Sequence, residues 1–283
     1  MPSARRSAAP RPYAVAFDVS PTLWMTTTGD EDPVSRKRRR GRLRAWARGV
    51  WREARAAGAP FCDRFMMLVT VGGRRESPVL AAETLKPLID AGTDEGLWPD
   101  DDPYHRAMTC YLRDPRPMAG GRARLNIWVI PLGAADPVAR LLACCPGAPA
   151  ALARATFPEN AWLTSNMRPS VRERKAIQGR AVEIGRAAWR ASPGAPCAVV
   201  TQVRYPDSRP RYKGDPDNTA ETATAMWGAG VMAGLLPASP TAFCFTLAPG
   251  ESAPGTHDLD MLAFATPEGL DWPAALLGVD AEA

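Results

Sequence analysis

Histidine and paired-cysteine motifs are nearly missing from this sequence. The chain has 2 histidines, and none of its 6 cysteines belongs to a C-x-x-C motif. Structural zinc sites are usually built from closely spaced cysteines and histidines, so we expect no zinc. Scattered thiols of this kind are typical of a reducing compartment, and we expect a cytoplasmic protein.

Long apolar runs are missing as well. No stretch of 18 consecutive apolar residues occurs, so we expect no membrane-spanning helix and no membrane partner. Residues 1–12 contain Arg5 and Arg6 but no apolar core, so we interpret them as a disordered basic tail and not as a secretion signal. With 283 residues, 46% of them hydrophobic, the chain is long enough for two domains with their own cores.

The two halves of the sequence resemble each other. Trp24 aligns with Trp162 at a separation of 138 residues (162 − 24), and a slightly smaller offset aligns Cys110 with Cys244. The first offset also aligns several dipeptides in order: Gly41-Arg42 with Gly179-Arg180, Trp51-Arg52 with Trp189-Arg190, and Gly96-Leu97 with Gly234-Leu235. An ordered series of matches predicts two copies of one domain.

Residue periodicity predicts strands and helices mixed within each copy. We expect a basic tail at 1–12, a first copy at 13–132, a connector rich in Ala, Pro and Gly at 133–156 with room for a short helix, a second copy at 157–274 and a C-terminal tail at 275–283. The predicted strands are 13–19, 65–71, 110–112, 125–132, 198–205, 243–247 and 259–265, and the predicted helices are 35–57, 81–94, 169–191 and 219–233. This mixture predicts an α/β (α+β) layer fold, with a small mixed sheet and packed helices in each copy.

Two groups of aspartates are candidates for chemistry. Asp215-Pro216-Asp217-Asn218 opens a predicted helix of the second copy, and Asp100-Asp101-Asp102 forms an acidic loop in the first. Aspartates two residues apart can both reach one divalent cation. The same residue types also form turns and helix caps without any metal, so a purely structural role stays open.

The order of segments in each copy resembles the RusA family of Holliday-junction resolvases. The family pattern combines Asp-x-Asp-Asn at a helix start, a lysine within the helix, and a later acidic loop. The second copy has the first motif in Asp215, Asp217 and Asn218, but Thr224 stands at the lysine position and its loop lacks acids. The first copy has Lys86, Asp90 and the acidic loop but lacks both motif aspartates, with Ser77 and Val79 in their place.

The resemblance implies a magnesium-dependent endonuclease with one composite site across the two copies. Asp215 and Asp217 would bind Mg²⁺ from the second copy, Asp101 or its neighbours Asp100 and Asp102 would bind it from the first, and Lys86 would contact phosphate or orient water. The catalytic residues would then be Asp215, Asp217, Asp101 and Lys86. The opposite site would pair Ser77 and Val79 with Ala238 and Ser239, and it would bind no metal.

The resemblance also implies a partner and a cellular role. The chain would be a pseudo-dimeric monomer, or a homodimer, that nicks four-way junctions or other branched DNA. It would act in recombination, repair or phage DNA processing, in the cytoplasm of a bacterium or a phage-infected cell. One alternative is a catalytically inactive, structure-selective DNA-binding protein derived from a resolvase. Another is a protein that shares the fold but has an unrelated partner.

A basic run opens the first predicted helix. Seven of the nine residues from 36 to 44 are cationic. Such a run is often only a solvated face, but its continuation along the helix favours phosphate contacts. The predicted DNA-binding residues are Arg36, Lys37, Arg38, Arg39, Arg40, Arg44, Arg48, Arg52, Arg211 and Lys213.

Overall fold

Strands and helices are mixed along both halves of the described chain. The structure is a computed structural model, and it describes residues 10–28, 31–206 and 214–278. Arg211 and Lys213, and most of the predicted N-terminal tail, lie outside these residues. In chain order the elements are β1 (Tyr13–Val19), α1 (Pro33–Ala56), β2 (Phe65–Gly72), α2 (Ala82–Asp94), β3 (Arg106–Arg113), β4 (Ala123–Pro131), α3 (Pro137–Ala143), β5 (Ala150–Pro158), α4 (Val171–Ala188), β6 (Cys197–Arg204), α5 (Ala220–Met232), β7 (Phe243–Leu247), β8 (Thr256–Ala265) and α6 (Trp272–Gly278).

All strands belong to one eight-stranded sheet with the order β1-β4-β2-β3-β7-β6-β8-β5. The second half of this order mirrors the first, and β3 and β7 meet at the centre as an antiparallel pair with Cys110 opposite Cys244. Within each half one strand pair is parallel, β2 with β3 and β6 with β7. The predicted α/β class is therefore confirmed, but the strands form one continuous sheet instead of one sheet per copy.

The sheet has a different covering on each face. Because neighbouring residues of a strand point to opposite faces, Met67 belongs to a core that includes residues of α1, α2, α4 and α5, whereas Met66 belongs to a second core that includes residues of α3 and α6. The face covered by the four long helices carries the larger core and also carries the site described below. Among the described residues no helix is long and apolar enough to cross a membrane.

Equivalent helices of the two halves make equivalent contacts. The indole nitrogen of Trp51 donates to the Leu88 carbonyl at 2.7 Å, and that of Trp189 donates to the Met226 carbonyl at 2.9 Å. Buried ion pairs repeat in the same way, between Arg36 and Glu83 at 3.1 Å and between Arg174 and Glu221 at 2.8 Å. The two halves therefore use the same scaffold, which makes their differences informative.

The segment predicted as a connector, 133–156, is not a plain linker. It contains α3 and most of β5, the edge strand that pairs with β8. The alternating burial of Ala151 and Ala153 identifies β5 as a strand, but small alanines gave no clear apolar period in the sequence. Similarly, the predicted C-terminal tail begins inside α6, whose Trp272 and Leu276 are buried against the sheet.

Candidate functional site

Charged side chains from both halves meet beside the central strand pair. Lys86 and Asp90 lie on α2, Asp101 lies in the loop that leads into β3, and Arg106 begins β3. The second half contributes Asp215 and Asp217, from the short 3₁₀ turn Pro216–Thr219 and the residue before it. We call Lys86, Asp101, Arg106, Tyr111, Asp215 and Asp217 the central cluster. The pairing of β3 with β7 brings the cluster together, because it joins the two halves at this point of the sheet.

A β-bulge orients the Arg106 side chain toward the cluster. Phe65 of β2 lies opposite Arg106, but the next residue, Met66, lies opposite Met108, so β3 carries one extra residue here. The extra residue places Arg106 on the same face as Thr109 and Tyr111, where regular alternation would have turned it to the opposite face. The Nη1 atom of Arg106 donates to the Thr109 hydroxyl at 2.6 Å, which fixes the orientation of the guanidinium.

Asp217 lies at the bottom of the cluster. Its Oδ2 atom accepts hydrogen bonds from Nη1 of Arg106 at 3.0 Å and from the Tyr111 hydroxyl at 2.7 Å. The side chains of Asp217 and Arg106 are only 10% and 3% exposed. A buried carboxylate is stable only with such donors, because it has lost its contacts with water.

Asp215 and Asp101 lie nearer the surface and share Lys86. The Oδ1 atom of Asp215 accepts from Nη2 of Arg106 at 3.1 Å, and its Oδ2 atom is 3.2 Å from the Lys86 ammonium. Lys86 also donates to Asp101 and lies 3.5 Å from Asp90. At 35% exposure, the Lys86 side chain is the most accessible member of the central cluster.

The backbone before Asp215 is fixed by a tyrosine. The Tyr205 hydroxyl donates to the Asp215 carbonyl at 3.0 Å, and the ring lies directly on Gly214. A Cβ atom at position 214 would overlap this ring, so only glycine allows the close approach. The Asp215 side chain makes no capping hydrogen bond to the turn that it precedes, so the cap role considered for this motif is not what its carboxylate does.

The pKa values of the two motif aspartates shift in opposite directions, because burial outweighs the neighbouring positive charges at Asp215 but not at Asp217. Burial raises the pKa of Asp215 above its ordinary value, although Arg106 and Lys86 oppose this. Burial also acts on Asp217, but the Arg106 charge and the Tyr111 hydrogen bond outweigh it, so the pKa of Asp217 is lowered. Burial lowers the pKa of Lys86, but the carboxylates of Asp215 and Asp101 outweigh that effect and raise it overall. The lysine is therefore a fixed cation near neutral pH.

The cluster in this arrangement does not fit a divalent metal. Hard cations bind several carboxylate oxygens at once, yet the oxygens that face the interior here accept hydrogen bonds from Arg106, Lys86 and Tyr111. Among residues 10–28, 31–206 and 214–278, no group of three or more His, Cys, Asp or Glu side chains is arranged to hold a metal ion. The magnesium cofactor stays a prediction.

The other acidic-loop residues serve the loop itself. Asp100 accepts from the backbone amide of Asp101 at 2.8 Å, and Asp102 accepts from the amides of Tyr104 at 2.8 Å and His105 at 3.0 Å. These are turn contacts, and they hold Asp101 in position. Of the three predicted loop ligands, only Asp101 therefore joins the central cluster.

Most arginines of the predicted DNA-binding stripe on α1 pair with acids of the chain. Arg36 is buried against Glu83, which also accepts from Arg40 at 2.6 Å. Further along α1, Arg44 pairs with Asp94 at 2.7 Å, and Arg48 and Arg52 share Glu95 at 2.8 and 3.0 Å. Arg39 pairs with Glu31 at 2.7 Å. These side chains fasten α1 to α2 and to the preceding loop. The interpretation of the stripe as a row of free phosphate contacts needs correction, and Arg36 is too buried to reach DNA.

Arg44, Arg48 and Arg52 are exposed although they are paired, and Lys37 and Arg38 are the exposed members of the predicted stripe that form no ion pair with a described carboxylate. Arg42, also exposed, lies one helical turn beyond Arg38. The equivalent helix α4 exposes Lys175 and Arg180, which align with Lys37 and Arg42 at the 138-residue offset. Lys37, Arg42, Lys175 and Arg180 form no ion pair with a carboxylate of the described residues. We call these four residues the outer cations.

The pseudo-symmetric counterpart of the central cluster also combines residues of both halves, and it is largely apolar. Val79, which aligns with Asp217, is fully buried in a 3₁₀ turn, Pro78–Ala81. Phe245 stands at the position of Tyr111 and packs in the core, and Pro240 stands at the position of Arg106 by the offset of 134 (244 − 110). The predicted asymmetry between two copies of the site therefore extends to residues that the sequence comparison did not single out.

Arg106 and Tyr111 are the cluster members that sequence reasoning missed. Tyr111 could have been suspected, because it replaces a phenylalanine in the aligned strand of the other copy. Arg106 left no such signal, since its position depends on a bulge between strands that are distant in sequence. No protein-family model matches this chain, and no curated protein matches it either.

Proposed function

We propose that this chain is a DNA-binding protein that recognises branched DNA through backbone contacts, as in the resolvase-derived alternative. The observation that carries the proposal is the arrangement of the outer cations. They are exposed at equivalent positions of the two long helices α1 and α4, while the neighbouring arginines of α1 are paired with acids. Arg180 donates to the Asn160 carbonyl at 2.7 Å, but no carboxylate of the described residues neutralises any of the four charges, so they are available for phosphate groups.

The symmetry of the chain supports the same proposal. The strand order of one half mirrors that of the other, and the outer cations repeat with it. A DNA duplex and a four-way junction both have twofold symmetry, so a protein with two equivalent basic surfaces can contact equivalent phosphates on both sides. The preference for a junction over a linear duplex follows from the resemblance to RusA proteins.

A binding experiment tests the proposal with single charge reversals. We expect the chain to shift a labelled four-way junction more readily than a linear duplex of equal length, and its affinity to fall with salt by a slope of about −0.9 per phosphate contact. Lys37→Glu and Lys175→Glu should each weaken binding roughly uniformly across sequences and make the salt slope shallower by about one contact.

Arg11→Glu is the matched control, because Arg11 is exposed just before the edge strand β1 and its reversal changes the formal net charge of +5 by the same amount. If Arg11→Glu weakens binding as much as Lys37→Glu, net charge and not the outer cations explains the binding. If junction and duplex bind equally, the proposed preference for branched DNA is wrong.

A magnesium-dependent endonuclease is the second candidate. It is favoured by the approach of Lys86, Asp101, Asp215 and Asp217 from both halves of the chain. An end-labelled junction incubated with Mg²⁺ separates the two candidates. Nicking by the unmodified chain that is lost in both Asp217→Asn and Asp101→Asn would favour the endonuclease. Junction binding by all three proteins without nicking would favour the proposed binding protein.

A further inference from the structure

The bridging contacts of the central cluster all come from protein cations. Arg106 donates from Nη1 to Asp217, from Nη2 to Asp215 and from Nε to the Asp101 carbonyl at 3.2 Å. One planar group thus contacts the carboxylates of Asp215 and Asp217 and the backbone carbonyl of Asp101. Lys86 connects Asp215 to Asp101 at the surface side.

The two cations of the cluster together carry the charge of one divalent metal ion. Three carboxylates bring three negative charges, and Arg106 and Lys86 together bring two positive charges, the same charge as one divalent cation. A cluster of carboxylates in a poorly hydrated place needs such a counter-charge, because unscreened like charges repel strongly.

The counterpart site lacks the equivalents of both the Arg106 guanidinium and the carboxylates of Asp215 and Asp217. In the pseudo-symmetric counterpart site, Pro240 of the second half replaces Arg106, and Val79 and Ser77 of the first half replace Asp217 and Asp215. Phe245 replaces Tyr111 as well, so the hydroxyl that donates to Asp217 is missing with its acceptor. Cation, donor and acceptors therefore behave as one unit within this single chain.

We propose that the Arg106 guanidinium, together with the Lys86 ammonium, takes the place of a divalent cation among Asp101, Asp215 and Asp217. The intact chain then holds its carboxylate cluster without metal, and it carries a latent site for Mg²⁺ or Mn²⁺ that opens when Arg106 is removed. This inference concerns metal binding in the free protein, so it is independent of whether the chain binds DNA.

Manganese titration of the intact chain and of Arg106→Ala tests this inference. Free and bound Mn²⁺ are measured by electron paramagnetic resonance, and the melting temperature is measured with and without Mn²⁺. We expect no saturable Mn²⁺ binding to the intact chain. Removing one buried positive charge should raise the affinity of Arg106→Ala by on the order of tenfold or more, and Mn²⁺ should raise its melting temperature. Adding Asp217→Asn to Arg106→Ala should abolish this binding.

The smaller change Arg106→Gln gives a second variant if the alanine variant does not fold. It keeps an amide donor but removes the charge, and the same gain in Mn²⁺ binding is expected. Recovery of folding by either variant on addition of Mn²⁺ would also support the proposal. It is overturned if the intact chain binds Mn²⁺ in a manner that Asp217→Asn abolishes, or if a folded Arg106 variant binds no more Mn²⁺ than the intact chain.

Discussion

The central cluster and its pseudo-symmetric counterpart have the same framework but opposite chemistry. The helices that flank them repeat the same buried arginine–glutamate pair and the same tryptophan-to-carbonyl hydrogen bond. Between those helices and the sheet, the central cluster holds two aspartates, a tyrosine hydroxyl and an arginine, whereas the counterpart site holds Val79 and Phe245. A buried polar group is stable only if its partners are present, so the cluster can exist complete or be replaced as a whole.

The largest effect should come from Arg106→Met, which removes the cation but keeps the apolar volume. Asp215 and Asp217 would be left buried without their main counter-charge, and we expect the free energy of unfolding to fall by about 3–5 kcal/mol. Urea denaturation at neutral pH, followed by tryptophan fluorescence, measures this loss. Arg44→Met is the matched control: its guanidinium pairs with Asp94 near the surface, so its loss should stay within about 1 kcal/mol. Equal losses for the two variants would mean that Arg106 contributes no more than a surface ion pair.

An intermediate effect is expected from Tyr111→Phe, which makes the two halves alike at this position. The Asp217 carboxylate would lose a hydrogen bond of 2.7 Å, with a cost of about 1.5–3 kcal/mol for a bond to a charged group. Tyr13→Phe is the control, because the buried Tyr13 hydroxyl has no hydrogen-bond partner among the described residues. We expect Tyr13→Phe to leave the unfolding free energy unchanged or to raise it. A loss at Tyr13 as large as that at Tyr111 would contradict the assigned role of the Tyr111 hydroxyl.

The smallest effect should appear in the pH dependence of stability. The Arg106 charge and the Tyr111 hydrogen bond outweigh burial and lower the pKa of Asp217 below its ordinary value of 3.8. A carboxyl group with a lower pKa in the folded state stabilises the protein at pH values above its unfolded-state pKa. This stabilisation is lost as the pH falls through its folded-state pKa. Unfolding free energies of Asp217→Asn should therefore decline less steeply than those of the unmodified chain as the pH falls below about 4.

Asp90 provides a control of opposite sign for the pH experiment. Burial raises the pKa of Asp90. Its contribution to stability is therefore present at low pH and is lost as the pH rises through the folded-state pKa of Asp90. Asp90→Asn should therefore make the decline on acidification steeper. If both substitutions change the slope in the same direction, the opposite environments inferred for the two carboxyl groups are wrong.

Local sequence pattern was sufficient for most of the framework and for part of the site. The apolar periods of residues 65–71 and 81–94 predicted β2 and α2, and the repeated tryptophans related the two halves. β5 was missed because alternating alanines produce little contrast between its two faces. Lys86, Asp101, Asp215 and Asp217 were named from the resemblance to the RusA pattern, whose motifs are divided between the two copies. The roles of Arg40, Arg44 and Arg48 as ion pairs with α2 could not be predicted, because a run of cations in a sequence does not show which acids face it.

The sequence by itself determined the internal repeat, the mixed α/β class and the division of the acidic motifs between the copies, since all of these depend on residue types at fixed spacings. Tertiary structure decided that those motifs meet. The meeting depends on the pairing of β3 with β7, which brings residues more than a hundred positions apart to the centre of one sheet. It also decided that a buried arginine stands between the aspartates, because a single extra residue in β3 turns Arg106 toward them. Local periodicity cannot reveal that turn, since the register between two strands is set by the packing of both.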